Sequence, residues 1–218
     1  MIARPGLRSA EAIVAGAALL LFAIMAALVH AGMTTMFDLR VLEALRKAGA
    51  PSVATAPAWL VRGAIAVTEL GTGIVRAPVA IAGALLLFAR NRKRAAAALA
   101  IAVAGGALLL GLIKEVAGRA RPELPYRMVA VGQTSFPSGH AMGSMILYPL
   151  LGVLVGGLIG RRAAWIGGVA GVVLAILVGL TRVLLGVHWA SDVVAGWLLG
   201  IALAAVALAL SGARPAPR

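Results

Sequence analysis

The chain has 218 residues, of which 62% are hydrophobic and 12% charged, and its formal net charge is +13. This composition excludes an ordinary soluble domain and is typical of a helical membrane protein, whose lysine and arginine residues set orientation and contact anionic headgroups. No basic stretch is interleaved with aromatic residues and no cysteine is present, which argues against a nucleic-acid partner and excludes disulfides, thiolate metal sites and a cysteine nucleophile.

Six apolar stretches follow one another along the chain, and each has about the 17–25 residues that a helix needs to cross a bilayer. They lie at 10–31, 72–89, 95–113, 141–160, 163–180 and 191–210. The sequence therefore predicts an all-α fold, a bundle of six transmembrane helices in one membrane-embedded domain over 1–218. Arg4 and Arg8 precede the first stretch as in a signal peptide, but its length and lack of a convincing cleavage site favour a retained span.

Charge on the connections predicts the orientation. If the six spans alternate, the basic connections at 90–94 and 161–162 lie on one side of the membrane, with both termini and their arginines Arg4, Arg8, Arg214 and Arg218. The positive-inside rule makes that side the cytoplasm. The loops at 32–71 and 115–137 and the turn around Val187 then face outward.

The first outer loop contains a short amphipathic pattern. Phe37, Val41, Leu42 and Leu45 recur at helical spacing, with charged residues between them. This pattern predicts a short helix lying on the membrane surface, and it fits equally a helix packed on the bundle.

Polar residues near the ends of the later spans are candidates for chemistry, because ionisable groups at membrane depth are costly. His188 and Asp192 are four residues apart and share a helix face if the last helix begins at or just before His188. The carboxylate can then fix the imidazole tautomer and leave the other nitrogen free to attack phosphorus, forming a phosphohistidine. The alternative is an interfacial histidine beside an aspartate that caps the helix.

Pro137-Ser138-Gly139-His140 stands immediately before the fourth span. The amides of Ser138 and Gly139 at a helix N-terminus attract an anion, and His140 beside that anion can protonate a leaving group. The alternative is ordinary capping by Ser138 with His140 at the interface.

Three cations complete the candidate site. Arg121 and Arg182 can each grip two phosphate oxygens, and Lys114 supplies a point charge at the outer end of the third span, which would stabilise phosphoryl transfer without a metal. The alternatives are snorkelling for Lys114 and a topological role for the arginines. Arg119 and Arg127 are expected to be bystanders or to touch a headgroup.

The order and spacing of these residues resemble the three signature motifs of the type 2 phosphatidic acid phosphatase superfamily. The match consists of Lys114, six residues and Arg121-Pro122, then Pro137-Ser138-Gly139-His140, then Arg182, five residues, His188, three residues and Asp192. One position departs from the pattern: Thr181 stands where the family usually has serine, so the hydroxyl is kept.

The resemblance implies a metal-independent phosphatase with a six-helix core, no cofactor and a lipid phosphate as substrate. It makes His188 the nucleophile, Asp192 its orienting partner and His140 the general acid. It assigns phosphate binding to Lys114, Arg121, Ser138, Gly139 and Arg182. Soluble vanadium haloperoxidases also belong to the superfamily, but the hydrophobicity of this chain argues against that chemistry.

The substrate is predicted from the orientation. A site at the outer border of a bacterial inner membrane suits undecaprenyl pyrophosphate, which is released there during cell-wall synthesis, so its conversion to undecaprenyl phosphate is the first expectation. Phosphatidic acid and phosphatidylglycerophosphate are alternatives. A lipid phosphotransferase would need a second headgroup pocket, and a non-enzymatic scaffold or transporter would tolerate loss of His188.

Overall fold

The computed structural model describes residues 7–132 and 134–212, and side chains from Ala10 onward. Three of the arginines used to predict orientation, Arg4, Arg214 and Arg218, lie outside the described residues, as does the side chain of Arg8. The other basic residues used to predict orientation, in the connections 90–94 and 161–162, lie within the described part of the chain.

The described chain is mostly helical. Its α-helices are α1 (Leu7–His30), α2 (Thr35–Ala44), α3 (Ala58–Glu69), α4 (Gly73–Ala89), α5 (Lys93–Ala117), α6 (Gly139–Gly156), α7 (Arg161–Leu184) and α8 (Ala190–Leu210). A 3-10 turn covers Leu124–Tyr126, and β1 (Arg46–Lys47) pairs antiparallel with β2 (Ala50–Ala54). Arg46 faces Ala54 and Lys47 faces Ala50, with an irregular register between the two pairs.

Five helices, α1, α5, α6, α7 and α8, are long and apolar enough to cross a membrane. Helices α3 and α4 meet the same test only as a pair, which bends by 49° at the break between them. The chain is therefore a multi-pass membrane protein, and the sixth predicted span depends on counting α3 and α4 together. The α3 helix was not expected from the sequence, since its apolar run is short and contains Arg62.

Helix α6 lies at the centre of the bundle. Ile146, Leu147 and Leu150 on α6 are almost fully buried and belong to the same hydrophobic core as Leu87 of α4 and Leu99 of α5. The tightest helix contact joins α6 to α7. A Cβ atom on Gly152 would meet the backbone of Gly167, so both positions need glycine for this approach.

Helix α2 forms over the residues where the sequence predicts an amphipathic helix, but its buried face includes a charge. Asp38 and Leu42 are buried, while Phe37 is 59% exposed. The helix packs on the beginning of α8 through Asp38, which accepts hydrogen bonds from Ser191. Contact with the membrane surface through Phe37 stays a prediction.

The alternation of helices positions the candidate residues. The C-terminal ends of α5 and α7 and the N-terminal ends of α6 and α8 meet at one end of the bundle, where the amide of Ser138 donates to the carbonyl of Asp192 at 3.0 Å. The basic connections at 90–94 and 161–162 lie at the other end.

Candidate active site

His188 lies in the short connection between α7 and α8, with 2% of its surface exposed. Its Nδ1 is 3.4 Å from Oδ2 of Asp192, on the first turn of α8, and 3.4 Å from Oγ of Ser135. The Ser135 hydroxyl in turn donates to the same Oδ2 atom, and the amide of Trp189 donates to it at 3.0 Å. Asp192 is thus oriented by several donors and lies on the Nδ1 side of the imidazole.

The other imidazole nitrogen faces a cation. Nη1 of Arg121 is 3.0 Å from Nε2 of His188 and donates to the carbonyl of Val187 at 2.5 Å, while Nε of Arg121 donates to the carbonyl of Gly132 at 2.6 Å. A guanidinium has no acceptor. Nε2 must therefore accept in this pair, which places the imidazole proton on Nδ1, on the side of Asp192.

Burial lowers the pKa of His188 from 6.5 to about 4, and the charges of Arg121 and Arg182 act in the same direction. Asp192 opposes this shift through its hydrogen bond and its charge. The imidazole is therefore neutral near pH 7, as a nucleophilic nitrogen must be.

Two buried polar atoms near His188 have no hydrogen-bond partner among the described residues: Oγ of Ser138 and Nε of Arg182. Ser138 is completely buried at the N-terminus of α6, and Arg182 is 3% exposed. Nη1 of Arg182 donates to Oγ1 of Thr68 on α3 at 2.6 Å, which fixes the guanidinium. Buried polar atoms normally have partners, so these two are suited to receive an anion.

His140, the second residue of α6, packs against the break between α3 and α4. A Cβ atom on Gly71, in that break, would come within 2.7 Å of Cδ2 of His140, so a larger residue there would displace the imidazole. The arginines whose charges act on His140 are Arg182, Arg76 and Arg121.

The last candidate cation is Lys114 at the end of α5. Its Nζ donates to the carbonyl of Thr134 at 2.9 Å, and it is close enough to Arg121 and Asp192 for their charges to act on it. Gly139, at the start of α6, packs against Leu110 of α5. The structure therefore brings the eight residues predicted from the sequence to one end of the bundle.

Several residues at this site were not predicted. Arg119 was expected to be a bystander or to touch a headgroup, but its Nη1 lies 2.6 Å from Oδ1 of Asp192 and its Nη2 lies 2.8 Å from Oδ2 of Asp38. Ser135 and Thr68 hold Asp192 and Arg182 respectively, and none of these residues belongs to a local pattern. The sequence does offer one clue to Asp38: the chain contains two aspartates, and the other is Asp192.

Arg127 and Thr181 have local partners. Nε of Arg127 donates to the carbonyl of Pro122 at 2.6 Å, and the hydroxyl of Thr181 donates to the carbonyl of Val178 within α7 at 2.6 Å. The threonine at the position where serine was expected is therefore accommodated inside its own helix. The described residues include no group of three or more histidine and acidic side chains able to hold a metal ion.

An apolar groove of about 630 Å³ runs beside the site, between α2, α3, α7 and α8. Its lining includes Val67, Thr181 and Val193, which are the sequence neighbours of Thr68, Arg182 and Asp192. The groove thus lies next to the helix segments that carry these polar side chains, and its apolar lining is suited to hydrocarbon.

Comparison with known proteins links these features to a family. The family model described as the PAP2 superfamily matches residues 95–215, which include all of the predicted site residues. Phosphatidylglycerophosphatase B from Bacillus subtilis strain 168 is 35% identical over 189 residues, covering 84% of this chain and 88% of the relative.

Other relatives share parts of the chain. Decaprenylphosphoryl-5-phosphoribose phosphatase from Mycobacterium tuberculosis is 35% identical over 143 residues, covering 64% of this chain and 73% of the relative. Undecaprenyl-diphosphatase from Sulfolobus acidocaldarius is 44% identical over 66 residues, covering 30% of this chain and 28% of the relative.

A solved structure matches most of the chain. The crystal structure of a transmembrane PAP2-type phosphatidylglycerolphosphate phosphatase from Bacillus subtilis superposes with a TM-score of 0.78 at 27% identity, covering 89% of this chain and 94% of that chain.

Proposed function

The chain belongs to the PAP2 superfamily and is a membrane lipid phosphatase, and from this premise we propose that it hydrolyses its substrate through a phosphohistidine formed on His188. The observation that carries the proposal is the arrangement around this imidazole. Asp192 and Ser135 lie on its Nδ1 side, and the guanidinium of Arg121 lies on its Nε2 side. An anion drawn to Arg121 would thus approach the nitrogen that holds the lone pair.

In the first step, Nε2 of His188 attacks phosphorus and a new P–N bond forms as the bond between phosphorus and the lipid oxygen breaks. His140 donates a proton to the leaving oxygen, so that the lipid alcohol, or the lipid monophosphate from a pyrophosphate, departs with that oxygen protonated. The imidazole of His188 becomes positively charged, and the carboxylate of Asp192 stabilises it through the proton on Nδ1.

In the second step, water attacks the phosphohistidine. His140, now neutral, accepts a proton from this water, the P–N bond breaks, and inorganic phosphate leaves with His188 restored to its neutral form. Arg121 and Arg182 donate to the equatorial oxygens in both steps, with Ser138 and the amide of Gly139 as neutral donors and Lys114 as a further charge. These fixed donors take the place of a metal ion.

For the substrate, we propose a phospholipid monophosphate, phosphatidylglycerophosphate, as the first candidate. The relative with the broadest coverage among those described carries that activity in its name, and its similarity extends over 84% of this chain. The apolar groove beside Arg182 and Asp192 would hold the hydrocarbon tails, with the phosphate at the polar cluster.

The second candidate is undecaprenyl pyrophosphate, which the sequence favoured because the positive-inside rule turns the site outward. A relative of 44% identity carries the diphosphatase activity in its name, although it covers only 30% of this chain. Outward orientation in a bacterial inner membrane is part of this proposal.

Phosphate release by the purified protein tests both proposals. The wild-type chain, His188→Ala and the control His30→Ala would be assayed on phosphatidylglycerophosphate, phosphatidic acid and undecaprenyl pyrophosphate in the same micelles. His30 is an exposed histidine at the end of α1, remote from the polar cluster in sequence. We expect His188→Ala to lose activity by orders of magnitude on every lipid and His30→Ala to retain it. Near-normal turnover by folded His188→Ala would refute the nucleophile, and a preference for undecaprenyl pyrophosphate would reverse the order of substrates.

A further inference from the structure

Behind Asp192 lies a second layer of charge that the catalytic motifs do not include. Asp38 of α2 is 1% exposed, and Arg119, in the loop after α5, has a side chain 16% exposed. One guanidinium nitrogen of Arg119 binds Oδ1 of Asp192 at 2.6 Å, and the other binds Oδ2 of Asp38 at 2.8 Å. Arg119 is therefore a bridge between two buried carboxylates.

Ser191 closes this network. Its hydroxyl accepts from Nη1 of Arg119 at 2.8 Å and donates to Oδ2 of Asp38 at 2.6 Å, and its amide donates to Oδ1 of Asp38 at 2.9 Å. The hydroxyl of Thr34 lies 3.3 Å from Nη2 of Arg119. Every oxygen of Asp38 is thus engaged, and α2 is attached to the first turn of α8, the turn that carries Asp192.

We propose that Asp38 and Arg119 are positioning residues for the nucleophile, in which Arg119 holds the Asp192 carboxylate in place and Asp38 offsets the charge of Arg119. The proposal rests on the proposed function, because it assigns these residues a task in the phosphohistidine step. Neither residue takes part in bond making.

Charge balance explains why both residues are needed. Arg119 alone beside Asp192 would cancel the negative charge that must stabilise the His188 imidazolium when Nε2 bonds to phosphorus. With Asp38 included, the three side chains sum to one negative charge, which Asp192 presents to the imidazole. In a buried setting such interactions are screened weakly, so the second carboxylate has a direct effect on the first.

Ser135 and the amide of Trp189 bind Oδ2 of Asp192, the oxygen that faces His188, while Arg119 binds Oδ1. Removing Arg119 therefore leaves donors on the oxygen that orients the imidazole. We therefore expect phosphoenzyme formation to slow more when Asp38 alone is neutralised, which upsets the charge balance, than when Asp38 and Arg119 are neutralised together, which removes the bridge but keeps the net charge.

The test uses the full-length protein in detergent with Asp38→Asn, Asp38→Asn/Arg119→Gln and the control Thr34→Val. The control removes a neutral contact to the same guanidinium. For each variant the rate of phosphoenzyme formation would be measured in a single turnover on the preferred lipid phosphate, per active site counted from the burst, together with KM and the Kd for vanadate.

Asp38→Asn leaves the positive charge of Arg119 without its offsetting carboxylate. We expect this to slow phosphoenzyme formation by about tenfold or more, an effect of the size usual for coupled buried groups. KM and vanadate affinity should stay near wild type, because neither residue contacts the phosphate. The double variant restores one net negative charge and should be several-fold faster than Asp38→Asn, and Thr34→Val should remain within about twofold of wild type.

A double variant as slow as Asp38→Asn or slower, or a wild-type rate per active site in Asp38→Asn, would overturn the proposal. If the double variant does not fold, Asp38→Asn remains decisive: an unchanged rate per site with a lowered Tm makes the network merely structural. Failure of the proposed function has a different signature, since wild-type protein would then hydrolyse the lipid without a phosphoenzyme or would not hydrolyse it.

Discussion

Replacing Arg182 by lysine tests whether the buried guanidinium binds the transferring phosphoryl group. In the structure Nη1 of Arg182 is held by Thr68 at 2.6 Å, and Nε, buried and without a partner among the described residues, remains for a phosphate oxygen. Arg182→Lys keeps the charge and removes the fork of donors. The loss of one charge-assisted hydrogen bond costs about 1.5–3 kcal/mol, which corresponds to roughly a 10- to 150-fold lower kcat/KM.

Thr68→Val is the matched control, because it removes the hydroxyl that anchors Arg182 but leaves every phosphate donor in place. The bond between this hydroxyl and the guanidinium is not made to the phosphate, so its loss should lower mainly the Tm, and kcat/KM should fall by less than about tenfold, or about 1.4 kcal/mol. Both variants would be assayed for phosphate release from lipid micelles and for vanadate affinity, after their Tm values show that they are folded. An Arg182→Lys enzyme with wild-type kcat/KM, or one less impaired than Thr68→Val, would refute the role of the guanidinium.

Four further outcomes are expected. Activity should persist in excess EDTA and be inhibited by vanadate; a strict need for a divalent ion after substrate presentation is controlled would contradict the mechanism. Asp192→Asn should be strongly impaired but retain residual turnover, measured by phosphate release, because the residue orients the nucleophile without attacking. The pKa of His188 is lowered to about 4, so between about pH 6.5 and 4 the unfolded chain binds a proton that the folded chain does not. The free energy of unfolding should therefore fall as the pH is lowered through this window. An NMR titration of the folded protein in which the His188 imidazole titrates near pH 6.5 would refute this. A single cysteine at Glu123 should react with an impermeant thiol reagent in intact cells and one at Asn91 should not; the reverse pattern would place the site at the cytoplasm.

The helices were predicted well where a long apolar run carries its own signal. The stretches 163–180 and 191–210 correspond to α7 and α8, with boundaries that differ by a few residues. Helix α4 was predicted as the stretch 72–89, but α3 and its bend against α4 were not, because the apolar run of α3 is short and contains Arg62, and the break at 70–72 has no proline and one glycine. Its position against His140 comes from tertiary packing, which local sequence does not report.

The candidate site divides in the same way. His188 and Asp192 were predicted from their spacing of four residues, on the condition that the last helix begins at or just before His188. Helix α8 begins at Ala190, so the two side chains meet across the start of the helix and not along one helix face. Asp38 and Arg119 were missed because their partners are 153 and 73 residues away, respectively, at Ser191 and Asp192. No local period links such residues, so only the fold brings them to the nucleophile.

Trapping the covalent intermediate tests the central claim most directly. Wild-type protein would be mixed with its preferred lipid phosphate in a single turnover, quenched in base to preserve phosphohistidine, and mapped by mass spectrometry. We expect an acid-labile phosphate on His188, at an occupancy that rises and decays at the rates of lipid and phosphate release, and its absence in His188→Ala. Phosphate on another residue, or full turnover with no phosphorylated peptide at any time, would contradict the account.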